Sequence, residues 1–128
     1  METINKITFE VFTLTLRKDG ILNVDISAEK EYTVDNLKEL MPIMGQFLNY
    51  KKVPMLITRD ESVLPTLETR NYWAKKDSCP YSLAEAFIMK TLALKLIGNF
   101  YLKVNKPGRT TRIFSSEEDA VKWLKSFL

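Results

Sequence analysis

A chain of 128 residues has room for one ordinary domain, and 45% apolar with 27% charged side chains is a globular composition, neither disordered nor fibrous. Its net charge of +3, from 19 basic and 16 acidic residues, is too small to argue for nucleic acid. Histidine is absent and cysteine occurs once, as Cys79, which removes Ser-His-Asp and Cys-His catalysis, histidine-containing zinc sites, thiolate clusters and any disulfide within these residues.

The first six residues, Met1-Glu2-Thr3-Ile4-Asn5-Lys6, lack the basic and apolar regions of a secretory leader, and no apolar run reaches the ~20 residues of a membrane span. A cytoplasmic location is expected. Ile7, Phe9 and Val11 alternate on one parity, and Phe12, Leu14 and Leu16 continue on the other, which predicts a bulge or sharp twist near Val11-Phe12. Asp19-Gly20 is a turn, and Leu22, Val24 and Ile26 alternate with polar residues, completing an antiparallel hairpin.

Thr33 is placed to cap a helix whose apolar stripe runs Leu37, Leu40, Met41, Met44, Phe47, Leu48, with Pro42 inside it as a kink. Residues 53–58 form a short apolar strand buried on both faces. A loop over 59–65 leads to a weaker helical stretch over about 66–76, broken by Asp77-Ser78-Cys79-Pro80. Residues 83–101 fit one long helix by periodicity; the alternation of neighbouring elements favours a strand over 84–89 and a helix over 91–102. Lys106-Pro107-Gly108 is a turn, 110–114 a short strand, and Ser115 with Glu118 a capping box opening a helix striped by Ala120, Trp123, Leu124 and Phe127.

The expected fold is therefore one α/β domain spanning residues 1–128. A single mixed, largely parallel five-stranded sheet would carry an N-terminal antiparallel hairpin and about four helices. This topology resembles the STAS or SpoIIAA-like fold of bacterial anti-sigma-factor antagonists. Ile97-Gly98-Asn99-Phe100-Tyr101, Lys106-Pro107, Arg112-Ile113-Phe114, Ala120 and Trp123-Leu124 resemble small uncharacterised bacterial proteins grouped with it.

The antagonists carry an Asp-Ser-Ser-Gly loop after a strand, whose serine a partner kinase phosphorylates. The corresponding loop here runs Arg59-Asp60-Glu61-Ser62-Val63-Leu64-Pro65, with one serine and no following glycine. The resemblance makes Arg59, Asp60 and Ser62 the candidate phosphoacceptor or partner-binding loop, against the plainer account of a solvated loop with a helix-capping acid. Tyr72 and Trp73, adjacent on a short helix, cannot share one stripe, so one of them is a candidate exposed interface anchor.

Asp60-Glu61 and Lys90 are weak prospects for catalysis, and Lys103, Lys106, Arg109 and Arg112 read as a solvated basic surface. The expected function is a non-catalytic regulatory module that binds a protein. The alternative is a small-molecule or lipid-binding module whose second and third helices part over Phe47, Phe87 and several methionines. No cofactor, metal or nucleic-acid partner is expected, and a homodimer through the N-terminal edge strand is one expected assembly.

Overall fold

The computed structural model describes residues 5–27 and 31–128; most of the segment read for a leader, residues 1–4, lies outside them. In chain order the elements are β1 (Asn5–Phe9), β2 (Phe12–Leu16), β3 (Leu22–Ile26), α1 (Val34–Phe47), β4 (Val53–Arg59), α2 (Leu67–Trp73), a 3-10 turn (Lys76–Ser78), β5 (Ser82–Ile88), α3 (Leu92–Phe100), a π-helical turn (Tyr101–Asn105), β6 (Thr111–Phe114) and α4 (Glu117–Lys125). The strands form one sheet in the order β1-β2-β3-β4-β5-β6. The first two pairings are antiparallel and the last three parallel.

The sheet has six strands, not five. The change of parity near residue 11 is a tight hairpin instead of a bulge: Phe9 pairs with Phe12 and Ile7 with Leu14, so odd positions of β1 face the same way as even positions of β2. Glu10 turns the chain at φ 53°, without the glycine or asparagine that usually signals such a turn.

Each parallel crossover advances one strand in the same direction, and crossovers of one hand place their helices on one face. That face buries Leu37, Leu40 and Met44 of α1 and Leu94 of α3 against Val24, Met55, Ile57 and Phe87. α4 alone covers the other face, where Ala120 and Leu124 meet Leu56, Ala84, Ala86 and Ile88. β4 and β5 are thus buried on both sides, which explains the unbroken apolar run of β4.

Local signals agree with most of these boundaries. Thr33 caps α1 in a reciprocal box with Asn36, and α1 runs through Pro42, whose missing N–H falls on the exposed side shared with Lys38. Residues 83–101 divide into strand and helix. The expected 66–76 helix stops at Trp73, and after the extended Lys75 a separate 3-10 turn follows. α4 is capped by Ser116, which accepts from the Asp119 N–H, so the Ser115–Glu118 box is displaced by one residue.

Candidate ligand cavity

A cavity lies between the sheet and α1, α2 and α3, towards the carboxyl ends of the parallel strands, where α/β sheets most often take ligands. Ile57 of β4 and Phe87 of β5 supply its floor, with Met89 just beyond β5; Leu37 and Leu40 come from α1 and Ile97 from α3. The cavity has a volume of about 60 Å³ and opens to solvent at its mouth. Gly98 also lines it. A Cβ there would collide with Met89 and Ile113, so this glycine lets α3 lie close to the sheet.

The walls are almost wholly apolar, but three polar groups from three elements line them. Arg59 Nη1, at the end of β4, Arg70 Nε, on α2, and the Tyr101 hydroxyl, at the start of the π-helical turn, are buried without a hydrogen-bond partner among the described residues. An unpaired buried donor costs about 1–3 kcal/mol, so three around one cavity need an explanation. The Tyr101 side chain is held edge-on to Phe87, ring centroids 5.9 Å apart. Burial, and then the nearby Glu85 charge, raise its pKa, keeping the phenol protonated and a donor. The Arg70 guanidinium is fixed by donating to the Pro65 carbonyl at 2.7 Å and by lying 5.8 Å over the Phe100 ring.

A second polar cluster adjoins the cavity through Trp73. Glu85, fully buried, accepts from Arg109 Nε at 2.5 Å, Trp73 Nε1 at 2.7 Å and the Ser82 hydroxyl at 2.8 Å. Arg109 also donates to the Trp73 and Lys75 carbonyls at 2.7 and 2.5 Å, and stacks 5.0 Å over the Trp73 ring. Burial alone would lower the Arg109 pKa, but the hydrogen bond and charge of Glu85 outweigh it and raise it. Every polar atom has a partner here, so the cluster staples the segment before β6 to the end of α2 and has no donor left for a substrate.

The family model of a domain of unknown function, DUF7793, matches residues 14–128. The chain belongs to this family. No curated protein matches it. Among solved structures, it is similar to a protein with unknown function from Arthrobacter sp. FB24, at 24% identity, covering 92% of this chain and 95% of that one with a TM-score of 0.31.

Within this DUF7793 member, the residues singled out in the sequence fall in three places. Arg59 joins the cavity, while Asp60 and Ser62 stand outside it in an exposed turn. Asp60 Oδ1 accepts from the Ser62 N–H at 2.9 Å and hydroxyl at 2.5 Å, which hold its carboxyl below the usual range. Trp73 is not a free anchor: it is half-buried, with its indole N–H committed to Glu85 and one face covered by Arg109. Tyr72 is half-buried too, flanked by Lys38 and Lys75, each with its ammonium within 6 Å of the ring.

Arg109 is likewise not part of a solvated basic surface, since its side chain is 6% exposed and ion-paired. Phe87 lines the cavity and Met89 with it; Phe47 packs in the same core but not in that wall. Sequence reasoning singled out no Arg70 and met Tyr101 only inside the stretch that carries the family resemblance, with no role attached. The available signal was a cation and a phenol on the apolar sides of two consecutive helices. Among the described residues, no helix is long and apolar enough to cross a membrane.

Proposed function

We propose that this protein is a non-catalytic binding module for a small organic acid with an apolar body, held in the cavity beneath α2 and α3. The supporting observation is the meeting of two guanidinium groups and one protonated phenol, each with an unpaired buried donor, inside otherwise apolar walls. A carboxylate could accept from all three, while a chain or ring lies against Phe87, Met89 and Ile97. Charge-assisted hydrogen bonds are worth about 1.5–3 kcal/mol, enough to select an acid over its alcohol. The module is taken to work in the cytoplasm, where Cys79 stays a thiol.

Calorimetric titration with hexanoate and phenylacetate, against hexan-1-ol as the neutral control, tests this. Saturable binding of either acid, weakened about 10–100-fold by Arg59→Met or Arg70→Met, is the expected result. The proposal fails if neither acid binds, or if the alcohol binds equally well and the arginine variants change nothing.

A second reading is a regulatory protein-binding module of the STAS-like kind, favoured by the exposure of Ser62 just after β4. Phosphopeptide mapping of protein purified from its native host should then find modified Ser62. Complete absence of the modified peptide under all growth conditions removes the switch.

A further inference from the structure

We propose that the outer face of α3 and its π-helical turn docks the protein on an anionic lipid surface. Leu92, Leu96, Phe100 and Val104 recur every four residues and are 74%, 61%, 45% and 59% exposed, while Leu94 and Tyr101 on the inner side are 1% and 5% exposed. A helix that is apolar on both its inner and outer sides has one face unaccounted for by its own fold. At the inner edge of this face, Arg70 of α2 packs over Phe100.

The charges around the patch select its occupant. Residues 86–116 contain no Asp or Glu, and Lys90, Lys95, Lys103 and Lys106 lie before, along and after the stripe. All but the half-buried Lys95 are exposed. Bulky aliphatic and aromatic side chains flanked by lysines suit a helix lying in the plane of a bilayer, its apolar side among the acyl chains and its ammonium groups at anionic headgroups. A second copy would bring the same lysines face to face, which opposes self-association through this surface. None of Leu92, Leu96, Phe100 and Val104 lines the cavity, so failure of organic acids to bind leaves this inference standing.

Co-sedimentation of the full chain with phosphatidylcholine–phosphatidylglycerol vesicles, beside pure phosphatidylcholine vesicles, tests it. Binding to the mixed vesicles is expected, with loss of about ten-fold or more in affinity on raising salt and in Leu96→Asp or Lys103→Glu. Leu92→Asp, at the most exposed position, serves as a second apolar variant, and near-ultraviolet circular dichroism checks that each variant keeps its fold. No vesicle binding by the wild type, equal binding to both vesicle types, or a solution dimer that Leu96→Asp converts to monomer would each overturn it.

Discussion

Glu85 and Arg109 are 24 residues apart in sequence and meet in a setting where neither charge reaches solvent. Removing one partner from a buried pair leaves an uncompensated charge, at a cost of about 3–5 kcal/mol, whereas replacing both with well-packed apolar groups is often close to neutral. Arg109→Met should therefore lower the unfolding free energy by roughly that amount in urea titrations monitored by tryptophan fluorescence, and Glu85→Met/Arg109→Met should recover part of the loss, since the Trp73 indole N–H and the Ser82 hydroxyl then lack their acceptor. A double variant no more stable than the single one would contradict the ion-pair account. Sequence reading missed this pair for a physical reason. A glutamate between two alanines on a strand, and an arginine among other basic residues after a turn, look solvated until the sheet and α2 bring their side chains together.

At the scale of elements, caps and turns decide where helices begin, and single-residue displacements are cheap. Thr33 and Thr91 both present a hydroxyl to a backbone N–H three residues on, Asn36 and Leu94 respectively. Thr91→Ala should cost about 1 kcal/mol in chemical denaturation. It should also weaken organic-acid binding, since α3 carries Ile97 and Gly98 into the cavity wall; unchanged stability would show that the cap is not used. Thr33 was legible because it stands alone before an apolar stripe. Ser115 and Ser116 were not separable in this way, as both precede acids at capping distance, and the end of β6 at Phe114 settles the choice on Ser116. The β1–β2 hairpin was missed because Glu10-Val11 carries no turn chemistry, although the inverted parity on either side recorded the chain reversal.

Across the whole molecule, the alternation of helix and strand from Thr33 onward was legible where an apolar stripe is bounded by a cap, a proline or a glycine, whereas residues 83–101, helical by period alone, were divided only by the alternation of the elements around them. The cavity was legible only in outline: Phe87 and an apolar space at the second and third helices were expected, and Arg59 was singled out for a loop instead of a cavity, while Arg70 and Tyr101 were not picked, because their burial is a property of the assembled layers. The order of the strands has one more consequence. Every strand pairs only with those immediately before and after it in sequence, so no segment must wait for a later one to be inserted between its neighbours. The sheet can grow by accretion as the polypeptide leaves the ribosome, each new β-α unit docking on an edge already made. Only the face that α4 covers stays open until residues 117–125 have emerged.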